Sequence, residues 1–134
     1  MDEPRILVID DEEVVLASLR KIFTRKGYHT DTFLTAREGL ERLEQDGYDL
    51  VITDLMMPEM NGIELLKALR DRAMNVPTIM ITGYPTISTA VKAMRLGARD
   101  YIAKPFTRKE LLSPVMRALR REVQEDSDSL DSQS

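Results

Sequence analysis

Five short apolar runs alternate along the chain with longer segments whose apolar residues recur at helical spacing. The runs are Ile6-Leu7-Val8-Ile9, Tyr28 to Phe33, Leu50-Val51-Ile52, Thr78-Ile79-Met80-Ile81 and Tyr101-Ile102. The first, third and fourth are continuously apolar rather than alternating. A strand covered by helices on both faces needs that pattern, which is typical of parallel sheets. The second run is more polar and predicts an edge strand.

The intervening segments predict five helices. Val15, Leu16, Leu19, Ile22 and Phe23 share a helical face, and Gly27 follows where a left-handed cap residue belongs. The second helix opens on Thr35 with Glu38 three residues later, a capping-box pattern, and is expected to close at Gly47. The third spans about residues 62–70, with Ile63, Leu65, Leu66 and Leu69 inward. The fourth follows Pro85, carries Ile87, Val91 and Met94, and stops at Gly97. The fifth starts with Thr107 and Glu110, another capping-box pair, and buries Leu111, Leu112, Val115 and Leu119. Pro114 lies inside it, which predicts a kink or an early end, because proline lacks the backbone donor. Strand–helix alternation of this kind predicts an α/β fold, a doubly wound five-stranded parallel sheet, since parallel neighbours need crossovers.

Length and composition narrow the picture. A chain of 134 residues suits one domain. It has no Cys and one His, His29, so disulfides and His/Cys zinc sites are excluded. No apolar run approaches a membrane span, and the acidic start Met1 to Arg5 is unlike a signal peptide, so a cytoplasmic location is expected. The net charge of −4 is uneven: Glu122, Glu125, Asp126, Asp128 and Asp131 supply −5, leaving residues 1–121 at +1. A near-neutral body gives no nucleic-acid footprint. The division expected is a folded domain over 1–121 and an acidic, Ser-rich tail or linker over 122–134.

In open α/β sheets ligands bind outside the carboxyl ends of the strands, at the topological switch point. Asp10 and Asp11 follow the first run, Asp54 the third, Thr82 the fourth and Lys104 the fifth. With strand order 2-1-3-4-5, the first and third strands are neighbours, and three carboxylates converge. Such a cluster needs a neutraliser, and Lys104 together with Mg²⁺, a cation suited to an all-oxygen site, would serve. Taken singly, each feature has a plain reading: Asp10-Asp11 as helix cap and first-turn acid, Thr82-Gly83 as a turn, Lys104-Pro105 as surface charge before a turn. The conjunction of four strands delivering polar groups at one edge favours a phosphoryl-transfer site. No Gly-rich phosphate loop is present, which disfavours a flavin or nucleotide binder.

On these residues the chain resembles the receiver domains of two-component response regulators. The motifs are Val8-Ile9-Asp10-Asp11-Glu12, Asp54-Leu55-Met56-Met57-Pro58 with Asn61-Gly62, Ile81-Thr82-Gly83, and Asp100 to Phe106. The stretch from Thr82 to Phe106 is most similar to the NtrC-type activator class. The resemblance implies a flavodoxin-like fold and a phosphorylation-activated switch that is not a multiple-turnover enzyme. It implies Asp54 as phosphoacceptor from a sensor histidine kinase. Mg²⁺ would be bound by Asp11, Asp54 and the Met56 carbonyl, with Asp10 acting through water. Thr82 and Lys104 would contact the phosphoryl group, and Tyr101 would swing inward with Thr82. Pro58, Gly62 and Pro105 would shape the loops. The partners implied are the kinase, a downstream output domain or protein, and a phosphorylation-dependent homodimer through the fourth helix, fifth strand and fifth helix. The competing readings are a non-phosphorylated pseudo-receiver and a metal-dependent aspartyl phosphohydrolase. The latter expects a second acid two residues after the nucleophile, where this chain has Met56.

Overall fold

The computed structural model describes residues 3–131, and the side chains of residues 3–120. Ten elements follow in strict alternation: β1 (Arg5–Ile9), α1 (Glu13–Arg25), β2 (His29–Phe33), α2 (Ala36–Gln45), β3 (Leu50–Asp54), α3 (Gly62–Asp71), β4 (Thr78–Thr82), α4 (Ile87–Arg95), β5 (Asp100–Ala103) and α5 (Arg108–Asp131). The strands form one parallel sheet in the order β2-β1-β3-β4-β5. The continuously apolar runs are its three central strands, and the polar run is edge strand β2, as the patterning requires.

Side chains alternate across the sheet and divide the core in two. Ile6, Val8, Leu50, Ile52, Ile79 and Ile81 face α1 and α5, meeting Leu16, Leu19, Phe23, Leu111 and Val115. On the other face Leu7, Ile9 and Val51 meet Leu40, Leu43, Leu65 and Leu69 of α2 and α3, while Met80 packs with Leu66 and Ala93. Each fully buried Leu or Ile contributes roughly 1.5–3 kcal/mol over an exposed one, so the core fixes the sheet edges on which the loops stand.

The helix ends show how local sequence sets these boundaries. At the end of α1, Gly27 is left-handed (φ 81), the Tyr28 N–H donates to the Phe23 carbonyl and the Phe23 and Tyr28 rings touch. Those features make a Schellman cap with its apolar contact. Asn61 and Glu64 form a reciprocal capping box on α3 that the sequence reading did not single out. Thr107 and Glu110 form the expected one on α5.

Three expectations need correction. Gly47 is not the cap of α2, because the helix ends at Gln45 and Asp46 is already extended. Thr35 caps that helix, but Glu38 bonds back to the Thr35 hydroxyl rather than to its backbone. Pro114 does not shorten α5, whose backbone runs on through Asp131. The side chains of the acidic tail, and residues 132–134 altogether, lie outside the described residues. The sequence assigned no facing to the apolar residues of α4. Its apolar spacing marks an outer face, with Ile87 85% and Met94 48% exposed, and Ala93 is the residue it buries.

Candidate functional site

The carboxyl edge of the sheet carries the chemistry because each strand is extended by one more backbone bond there. Asp10 N–H donates to the Phe33 carbonyl (3.1 Å), Leu55 N–H to Ile81 (2.8 Å) and Lys104 N–H to Thr82 (2.7 Å). These bonds lock Asp10, Asp54, Thr82 and Lys104 in one row before the loops begin. The Lys104–Pro105 peptide is cis.

Lys104 is the centre of the row. Its Nζ lies 2.8 Å from Asp10 Oδ2, 3.3 Å from Glu12 Oε1 and 3.6 Å from Asp54 Oδ1. Asp10 and Asp54 are buried, while Asp11 and Glu12 are exposed. The approach to Asp10 is a close ion pair, and Lys104 is the one polar partner of Asp10 Oδ2 among the described residues. Asp10 Oδ1 accepts from the Glu12 N–H (2.9 Å).

This crowding shifts the acids upward. Burial, then the charge of Asp10, pushes the Asp54 carboxyl up to about 6, against the pull of Lys104 and a bond from the Met56 backbone. Burial also raises Asp10, although its contact with Lys104 opposes the shift. Burial tends to lower Lys104, but its contact with Asp10 and the charges of Asp10 and Asp54 outweigh it and raise it. The site is therefore short of positive charge, and Lys104 is firmly an ammonium.

Thr82 is fully buried at the end of β4, one residue beyond the Asp54–Ile81 pairing. Its hydroxyl accepts from the Tyr84 N–H (3.1 Å), and its own proton has no acceptor among the described residues. Tyr101 is half-buried on β5, and its hydroxyl is held by the first turn of α4. It lies 2.6 Å from Thr89 Oγ1 and accepts from the Thr86 N–H at 3.3 Å. Met56 and Tyr84 both stand exposed in the loops after β3 and β4.

The loop after β3 is tightly wound. Met60 N–H closes onto the Pro58 carbonyl (2.8 Å) across Glu59 at φ 68, a strained three-residue turn. Gly62 follows, and a Cβ there would stand 2.4 Å from Met80 Sδ and 2.7 Å from the Asp54 carbonyl oxygen. Glycine thus lets α3 press against the backbone of Asp54 itself.

A model of the response regulator receiver domain matches residues 6–116. The chain belongs to this family. Among curated relatives, the receiver is 40% identical over 116 residues to the regulatory protein AtoC of Escherichia coli, covering 87% of this chain and 25% of that protein. It is 36% identical over 122 residues to the response regulator MprA of Mycolicibacterium vanbaalenii, covering 91% of this chain and 53% of that one. The receiver thus spans about half the length of the MprA-type relatives and a quarter of AtoC. The solution structure of the beryllofluoride-activated NtrC4 receiver domain dimer superposes with a TM-score of 0.83 at 32% identity, covering 87% of this chain and 97% of that one.

The receiver brings Asp10, Asp54 and Lys104 into contact, with Asp11 beside them and Thr82 on the adjoining strand. Tyr101 stands apart, tied to α4. The residue that motif reading left without a role is Glu12. Its carboxylate, with those of Asp10 and Asp11, offers oxygens within 4.8 Å of one another, and it also reaches Lys104. The signal was its place in the Asp-Asp-Glu run at the mouth of the first strand. For Mg²⁺, the donor set fits: hard carboxylate oxygens within 4.8 Å of one another, in a site where burial and then the charge of the neighbouring acids raise the Asp54 pKa.

Proposed function

We propose that Asp54 is the phosphoacceptor of a two-component switch, phosphorylated by the phosphohistidine of a sensor kinase. The observation that carries this reading is the buried Asp54 carboxylate set 3.6 Å from the Lys104 ammonium, beside Asp10. A fixed cation next to a nucleophilic carboxylate is what stabilises charge on a transferring phosphoryl group.

In the step, an Asp54 Oδ atom attacks phosphorus. The O–P bond forms as the P–N bond to the donor imidazole breaks, and the bonding pair stays on that nitrogen, which takes a proton from solvent. Lys104 faces the phosphoryl oxygens and offsets their charge. Asp11, Asp54 and the Met56 carbonyl would hold Mg²⁺, with Asp10 acting through water. The ion supplies further neutralisation of the phosphoryl oxygens when bound. At pH 7 Asp54 is ionised despite its raised pKa of about 6, so the nucleophile is available.

The product replaces one negative charge by about two, with strong acceptor oxygens. The Thr82 hydroxyl has a proton to give them. Turning toward the phosphoryl group leaves space into which Tyr101 moves, and the Tyr101 hydroxyl then lets go of Thr86 and Thr89. Reversing a 1:99 population needs about 5.5 kcal/mol of differential stabilisation. Charge-assisted bonds of roughly 1.5–3 kcal/mol each from Thr82 and Lys104 supply much of it. The output surface is α4, β5 and α5, where Ile87, Val91 and Met94 stand exposed and where Arg117 is paired with Asp100 at 3.0 Å. A downstream domain or partner, or a second receiver, docks there. An activated relative that is a dimer supports the last. The protein acts on its own phosphoryl group and is not a multiple-turnover enzyme.

Incubation with acetyl phosphate and Mg²⁺, read by intact mass, tests the proposal. One added phosphoryl group is expected on the wild type and none on Asp54→Ala or without Mg²⁺. Equal labelling of Asp54→Ala would overturn it.

A further inference from the structure

Glu12 occupies the N-cap position of α1, where a short oxygen-bearing side chain ordinarily accepts a bond from the first turn. Here the Glu12 side chain makes no cap bond, although its backbone is extended as an N-cap should be (φ −104, ψ 112). Its backbone N–H is committed to Asp10 Oδ1, which turns the carboxylate along the mouth of the site. There Oε1 accepts from Lys104 Nζ at 3.3 Å, across 92 positions of sequence. Of the three acids around Lys104, buried Asp10 is the nearest at 2.8 Å, Glu12 follows at 3.3 Å from the exposed side, and Asp54 is the farthest at 3.6 Å. The side chain is 64% exposed, so it can leave without opening the core.

We propose that Glu12 is a positioning residue that parks the Lys104 ammonium away from Asp54 until a phosphoryl group displaces it. This inference rests on the reading of Asp54 as phosphoacceptor. Glu12 withholds from Asp54 a cation that would otherwise sit closer to it, and a phosphoryl group on Asp54 must pull Lys104 off Glu12 to gain its full contact. Removing the Glu12 charge leaves Lys104 held on that side by Asp10 alone, and the phosphorylated state is then favoured.

Binding of beryllofluoride in saturating Mg²⁺, followed by NMR titration of the full chain, tests this. Glu12→Gln should bind the probe three- to tenfold more tightly than the wild type. The gain should vanish in the Lys104→Ala background, where Glu12→Gln and Glu12 bind alike. Unchanged affinity in Glu12→Gln, or a gain that persists without Lys104, overturns the proposal. So does a tenfold weaker Mg²⁺ affinity of the probe-free Glu12→Gln protein, which would make Glu12 a metal ligand instead. Failure of the wild type to bind beryllofluoride would sink the phosphoacceptor reading itself, a result separable from all of these.

Discussion

Replacing Asp54 by Asn should stabilise the metal-free protein at neutral pH, although it removes the residue on which the proposed activity depends. The folded carboxyl titrates at about 6, against an ordinary value near 3.9 in an unfolded chain. The folded state therefore holds its proton more tightly, and stability falls as pH rises from about 4 to about 6. Above that window the penalty is complete: a shift of roughly two pKa units corresponds to about 3 kcal/mol at about 1.36 kcal/mol per unit. That figure is a ceiling, because Asp10 and Lys104 respond to the same change. Asn keeps the shape and drops the charge, so Asp54→Asn should gain about 1–3 kcal/mol at pH 7.5. At pH 4, where Asp54 is protonated in the folded state, the gain should shrink toward zero. Saturating Mg²⁺ should narrow the gap at pH 7.5 by stabilising the wild type preferentially. Urea unfolding at both pH values, with and without Mg²⁺, reads all three effects. A variant no more stable than the wild type at pH 7.5, or equally stabilised at pH 4, would refute the reasoning.

Three further outcomes follow from other sites. The Thr30 hydroxyl is buried with no hydrogen-bond partner; Thr30→Val should stabilise the fold by about 1 kcal/mol in urea unfolding, and a loss of stability would show that a partner had been missed. Gly62→Ala places a Cβ 2.4 Å from Met80 Sδ and 2.7 Å from the Asp54 carbonyl; it should cost about 2–3 kcal/mol and also slow acetyl phosphate labelling. A neutral result on both would remove the claim that α3 needs glycine against β3. Tyr101→Phe deletes the hydroxyl bonds to Thr86 and Thr89. Amide exchange across the first turns of α4 should quicken by roughly five- to thirtyfold, the equivalent of about 1–2 kcal/mol; unaltered exchange would mean that the hydroxyl does not hold α4.

The sheet and the acid row were legible because both follow from short-range rules. Continuous apolar runs at Ile6–Ile9, Leu50–Ile52 and Thr78–Ile81 demand burial on two faces, and the residues after them must then stand at one edge. The facing of α4 was not legible, for a physical reason. Ile87, Val91 and Met94 have the spacing of a core stripe, and periodicity does not tell a surface kept for a partner from one buried in the same chain. Glu12 stayed silent because its contact is with Lys104, at the far end of the chain, and only the fold joins them. Gly62 was read as a loop residue, whereas its constraint is the approach of α3 to the Asp54 backbone, which no local pattern encodes. The raised pKa of Asp54 was foreseeable in direction from clustered acids, but its leading cause, burial, appears only once the strands are packed.

The most direct test of the central claim is to locate the phosphoryl group chemically. The protein would be labelled with acetyl phosphate and Mg²⁺, reduced with borohydride, which converts an acyl phosphate of aspartate to homoserine, and mapped by peptide mass spectrometry. Homoserine at position 54, in place of the aspartate, is the predicted result. Homoserine at position 10 or 11 with residue 54 unmodified, or labelled protein with no reducible acyl phosphate, would contradict it.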